Sequence, residues 1–171
     1  ARRRAVENEL RDFRLGGAEL PPQKKARFKE ISERLSQLSS RFSDNLLDAT
    51  NAFGHTITDP ALVAGIPQDV LAAAREAAQA EGKPGWKFTL HMPSYLPVMQ
   101  YAEDRALREE MYRASATRAA EFGKPELDNT PLIARILPLR HEAARLLGYA
   151  SYADVSLVPK MADSPSQVLG F

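Results

Sequence analysis

A chain of 171 residues with 23 Lys and Arg against 22 Asp and Glu has a formal charge of +1, too small for a long-range field that gathers nucleic acid or an anionic membrane. Hydrophobic residues at 44% and charged residues at 26% place it among folded globular chains, and its length allows a core without metal or disulfide support. With no cysteine there is no disulfide, zinc knuckle or thiol nucleophile. No stretch approaches the roughly 18 apolar residues that span a bilayer, and the charged N-terminal region has no apolar signal-peptide core.

In chain order, Val6, Leu10 and Phe13 recur at helical spacing until Gly16-Gly17, which predicts a first helix. Arg2-Arg3-Arg4 lies on that helix beside Glu7, Glu9 and Asp12 and reads as a self-compensated, solvated face. After Pro21-Pro22 a longer seam runs through Phe28, Ile31, Leu35, Leu38, Phe42, Leu46 and Ala49. The two patterns predict an antiparallel pair of long helices, each burying a narrow apolar stripe against the other.

β-Branched residues then gather at Thr56, Ile57 and Thr58, giving a short strand at about 53–58. A second strand is expected at about 86–92, where alternation places Trp86, Phe88, Leu90 and Met92 on one face. Between them an alanine-rich helix runs from Pro67 to Glu81 and closes at Gly82. Ser94 is expected to cap a short helix containing Tyr95 to Ala102, and Asp104 to cap one that runs to about Phe122, with Leu107, Met111, Ala114 and Phe122 on a common face. Thr130 is expected to cap a helix that starts at Pro131, carries Pro138 as a kink and stops at Gly148. Ser151-Tyr152-Ala153-Asp154 reads as a capping box, and Asp163-Ser164-Pro165 opens a last helix. The predicted fold is therefore mainly α: one helical unit over 1–171 without an internal boundary, and a small two-stranded β element. Both ends read as interruptions of helical pattern in a longer chain.

Chemistry has few candidates, since the chain holds three histidines. His141-Glu142-Ala143-Ala144-Arg145 begins like the H-E-x-x-H zinc helix, in which two histidines one turn apart hold the metal and glutamate is the base. Arg145 stands where the second histidine belongs, and a guanidinium has no lone pair to donate. His141 therefore reads as a surface or capping residue, with Glu142 pairing outward. His55 and His91 become neighbours if the two strands pair, but without a carboxylate near them in sequence they read as strand-surface residues. Ser94 lacks the G-x-S-x-G elbow of a serine nucleophile. Gly54, Gly65, Gly82 and Gly85 do not have a phosphate-cradling spacing. Glu103-Asp104 and Glu109-Glu110 are adjacent on helices, so they point about 100° apart and make no carboxylate dyad. No residue is assigned a catalytic, cofactor-binding or metal-binding role.

Ordered segments nevertheless carry a resemblance. Leu20-Pro21 leads into the long Phe28 to Leu46 helix, and Met92-Pro93-Ser94-Tyr95-Leu96-Pro97-Val98-Met99 follows. Then come the stretches from Asp104 to Ala114 and from Leu139 to Tyr149, and Lys160-Met161-Ala162-Asp163-Ser164-Pro165. Across essentially all of its length the chain resembles the oligopeptidase A and thimet oligopeptidase family of zinc metallopeptidases, with the bacterial oligopeptidase A branch closest. The resemblance implies an almost wholly helical, cytoplasmic enzyme that cuts short peptides inside a channel, whose zinc helix and transition-state residues lie C-terminal of the matched region. This chain is then expected to be non-catalytic scaffold or channel wall. It would hold no cofactor itself, although the parent would hold zinc. Its expected partners are the remainder of its own chain and, in the parent, short peptides, with no nucleic acid or membrane; non-native self-association through uncovered apolar surface is also expected. The alternative is a stand-alone helical interaction module whose Phe28 to Leu46 seam takes a partner helix.

Overall fold

The computed structural model describes residues 2–171. Eight α-helices, two short strands and two 3-10 turns make up the described chain, a mainly α fold as expected. Two compact units divide it: residues 42–130 form one, and residues 1–41 with 131–171 form the other.

In the first of these units, strand β1 (His55–Ile57) pairs antiparallel with strand β2 (Trp86–Phe88), in the register His55 to Phe88 and Ile57 to Trp86. Both strands are shorter than the alternation suggested. β1 gives way at Asp59, whose carboxylate accepts from the Ala61 N–H and opens the Pro60–Val63 3-10 turn. β2 gives way because the Thr89 N–H donates to the Ser94 hydroxyl at 3.0 Å instead of to a strand, and Met92 already starts helix α4 (Met92–Tyr101). Met92 is consequently exposed, although Phe88 and Leu90 remain buried as the alternation required.

Helix α3 (Gln68–Gln79) packs on β2, with Leu71, Ala74 and Ala78 buried. Gly82 follows with φ +67, and the Lys83 N–H returns to the Ala78 carbonyl, the closure expected of a C-terminal glycine. Helix α4 packs on helix α5 (Arg105–Ala116). Asp104 caps α5, its carboxylate accepting from the Leu107 N–H at 2.6 Å. The core joins Ile57, Val63, Ile66, Phe88, Val98, Leu107 and Met111 among others, with Phe88, Val98 and Met111 fully enclosed.

Three local expectations are corrected here. Ser94 does not cap α4; His91 holds the cap position without a side-chain bond, and Ser94 sits inside the first turn. α5 ends at Ala116, not near Phe122. The Thr117 hydroxyl folds back onto the Arg113 carbonyl, Ala119 takes a left-handed φ of +50, and Phe122 ends 75% exposed. Thr130 belongs to the helix that it was expected to cap: its N–H donates to Asp128 at 2.8 Å and its hydroxyl to Glu121 at 3.2 Å.

The other unit contains helix α1 (Arg2–Leu15), the first part of helix α2 (Pro22–Ala52), and most of helix α6 (Thr130–Leu146), which runs without a break through Pro138. Helices α7 (Tyr152–Leu157) and α8 (Pro165–Gly170) complete it. Ile31 and Leu38 of α2 are buried, as are Leu132, Ile136, Ala143 and Ala144 of α6. The capping box forms as read, with Ser151 and Asp154 exchanging side-chain and backbone bonds, and Ser164 caps α8. The stripe of α1 departs from expectation. No residue of α1 is buried, and Val6, Leu10 and Phe13 are 58%, 51% and 64% exposed, so the expected stripe-on-stripe burial is not made.

Candidate functional site

His55 and His91 belong to the unit of residues 42–130, and His141 to the other. β1 carries His55, and a turn of α5 brings Glu110 to it, with Nδ1 2.8 Å from Oε1. His91, at the head of α4, is exposed and is not part of this pair. Strand pairing sets His55 opposite Phe88, three positions short of His91, and the chain leaves the ladder before His91 is reached. The partner of His55 was invisible in sequence because 55 residues separate it from Glu110; only the packing of α5 in the folded unit makes them neighbours. A His–Glu pair can orient an imidazole, but nucleophilic chemistry also needs a hydroxyl or thiol in reach. The Ser94 hydroxyl is engaged with Thr89.

On α6, His141-Glu142 was the sequence's closest approach to a zinc helix. The Glu142 carboxylate is held from two sides by Arg27 of α2, Nε to Oε1 at 2.7 Å and NH2 to Oε2 at 2.8 Å. Glu142 therefore pairs with another helix instead of pairing outward. The hydrogen bonds from Arg27 hold its carboxyl below the usual glutamate range, with burial acting weakly in the opposite sense. A general base needs a pKa near the working pH, and the pairing with Arg27 moves this carboxyl away from it. Arg145 supplies no ligand. No group of three or more His, Asp or Glu among the described residues is placed to hold a metal ion. The residues present do not fit a zinc centre.

Two of the concave features in the unit of residues 42–130 are lined by an arginine. A cleft of about 390 Å³ runs beside the Pro60 turn and α3, where the Arg75 guanidinium lies 5.3 Å over the Trp86 ring. A smaller pocket of about 220 Å³ opens between the end of α2 and the turn after α5, lined by Phe53, Leu90, Ala114 and Leu127 with Arg118 and Lys124. Neither contains the paired acid and base of a hydrolytic site. No described helix is long and apolar enough to cross a membrane.

The profile of peptidase family M3 matches residues 98–171. Oligopeptidase A of Salmonella typhimurium is 51% identical over 173 aligned positions, which cover 100% of this chain and 25% of that protein. A probable cytosolic oligopeptidase A of Arabidopsis thaliana is 45% identical over 95% of this chain and 24% of its own length. The dipeptidyl carboxypeptidase of Escherichia coli is 32% identical over 98% of this chain. The chain thus spans about a quarter of the length of the curated relatives that it matches.

Proposed function

We propose, from the premise that this chain belongs to peptidase family M3, that it is a non-catalytic helical segment of a zinc-dependent oligopeptidase, serving as scaffold or channel wall for the hydrolysis of short peptides. The parent enzyme is cytoplasmic in this reading, and the partners of the segment are the remainder of its own chain and the peptides that the channel admits, with no nucleic acid or membrane. In such an enzyme a bound zinc would polarise a peptide carbonyl and lower the pKa of a bound water, and residues outside this segment would hold it.

One observation carries the reading: the sole His-Glu sequence of the chain is built into structure. Glu142 is clamped by Arg27, and Arg145 takes the place of a second histidine. The alternative of a free-standing partner-binding module rested on the Phe28 to Leu46 seam. Ile31 and Leu38 of that seam are already buried, and Phe28 and Leu35 are half-buried, so much of the seam is used within the chain itself.

The test has two arms. Purified chain is titrated with zinc against a competing chelator and incubated with a fluorogenic peptide; no stoichiometric zinc binding and no chelator-sensitive cleavage are expected. Cleavage that zinc restores after chelation would overturn the reading. In the second arm the gene is read beyond Phe171, where an H-E-x-x-H sequence is expected.

A further inference from the structure

We infer that the pocket between the end of α2 and the turn after α5 is a binding site for a small apolar group that carries a carboxylate. Phe53, Leu90, Ala114 and Leu127 are among the apolar residues that line the space, and its volume of about 220 Å³ is sufficient for one aromatic or branched side chain. Leu90 is itself buried in the core, and Phe53 and Ala114 pack against that core, so the floor of the pocket is fixed before any ligand enters.

The charge at its wall is of one sign. Arg118 and Lys124 line the pocket, and no carboxylate does. Arg118 is held by neutral partners: Nε donates to the Ser115 carbonyl at 2.9 Å and NH1 to the Thr50 hydroxyl at 3.1 Å. No Asp or Glu among the described residues lies within ion-pair distance of either cation. A half-buried guanidinium fixed by two bonds and lacking a counter-ion is a pre-organised receptor for a carboxylate, because the cost of ordering it has already been met. Glu121, the nearest acid in sequence to Arg118, accepts from the Thr130 hydroxyl.

The backbone beside Arg118 is unusual in the same place. Ala119 holds φ +50, the one non-glycine residue with positive φ among those described, and its carbonyl accepts from the Asn129 N–H at 2.9 Å. Left-handed backbone at a residue with a side chain costs energy and persists where the surroundings impose it, often beside a binding site. Here it lies three residues past the end of α5, between Arg118 and Lys124, which border one cavity.

Two sources could supply this chemistry, the C-terminus of a short peptide or a short aliphatic acid, and the test separates them. The intact chain is titrated with N-acetyl-phenylalanine, with its C-terminal amide and with hexanoate, following binding by calorimetry and by amide chemical shifts of residues 114–127. Saturable binding of the acid is expected, with the uncharged amide at least about tenfold weaker. Arg118→Gln should weaken the acid by about tenfold and leave the amide unchanged. Lys124→Gln, on an exposed loop, should weaken it by about threefold. Tighter binding of N-acetyl-phenylalanine than of hexanoate assigns the site to peptide termini, and the reverse order assigns it to aliphatic acids. Equal binding of acid and amide, or no saturation by about 10 mM of any probe, overturns the inference. If Arg118→Gln fails to fold, the comparison of acid with amide on the unaltered chain decides alone. The site does not depend on the peptidase reading, which stands or falls on zinc and cleavage.

Discussion

Arg27 and Glu142, 115 positions apart, meet fork to fork, with both guanidinium contacts shorter than 2.9 Å. The pairing fastens α2 to α6 and withdraws Glu142 from chemistry. Its pH dependence has a definite sign. Hydrogen bonding to Arg27 lowers the folded pKa of Glu142 below its ordinary 4.5, so the contribution is fully present above that value and is lost as pH falls through the folded pKa. Both side chains are 41% exposed, and solvent screening keeps the effect small. Glu142→Gln should lower Tm by about 1–3 °C at pH 7, with the gap to wild type closing as the solution is acidified below 4.5. Thermal melts followed by circular dichroism across that range check the sign; a gap that widens in acid would contradict it.

How the sequence and structure divide this information is visible in particular residues. Caps are local chemistry, so Asp104 and Ser151 with Asp154 could be read directly and are found in place. Alternation placed Phe88 and Leu90 in the core. Where two local signals competed, reading failed: Ser94 is a good cap by residue type, yet Pro93 lets the helix begin earlier and the hydroxyl turns to Thr89. The end of α5 could not be foreseen from periodicity, since Ala119 is a strong helix former held in the left-handed region by its surroundings. Side-chain partnerships across long separations, His55 with Glu110 and Arg27 with Glu142, have no periodic signature at all. The family resemblance was legible in ordered segments, whereas the pocket beside Arg118 is a product of packing.

Asn129 should be the least replaceable polar residue of the unit from Phe42 to Thr130. It is 3% exposed, its Oδ1 accepts from Asn45 Nδ2 at 2.9 Å, and its own Nδ2 donates to the Phe42 carbonyl at 3.0 Å. Asn129→Leu keeps the volume but strands the buried Asn45 donor and removes the second hydrogen bond to the Phe42 carbonyl, which stays in the ladder of α2. The expected loss is about 2–4 kcal/mol, measured by urea unfolding. Asn129→Asp should cost at least as much, because its second oxygen, an acceptor, would face the Phe42 carbonyl oxygen at the place where Nδ2 now donates, in a buried site.

Gly85 and Gly82 both have positive φ, +89 and +67, but a side chain meets different surroundings at each. At Gly85 an added Cβ would lie 2.0 Å from the Ile57 carbonyl oxygen, inside the two-stranded sheet; at Gly82 it meets nothing within 4 Å. Gly82→Ala therefore bears only the conformational cost, about 1 kcal/mol. Gly85→Ala adds a backbone collision that must part β1 from β2, and should lose about 3 kcal/mol or more. Equal destabilisation of the two variants would refute this placement of the β2 entry.

The open stripe on α1 gives the last prediction. Val6, Leu10 and Phe13 fall one helical turn or so apart and are all more than half exposed, although the rest of the helix is strongly charged. Contact with another copy is an available way to remove such a stripe from water. Weight-averaged mass from light scattering should rise with concentration for the chain as it stands. Leu10→Glu with Phe13→Glu should return it to the monomer value without lowering Tm, because neither side chain contributes to a core. A constant monomer mass for the unaltered chain up to about millimolar concentration would show that the stripe is too narrow to drive association, and a fall in Tm for the double variant would show that α1 is packed more firmly than its exposure indicates.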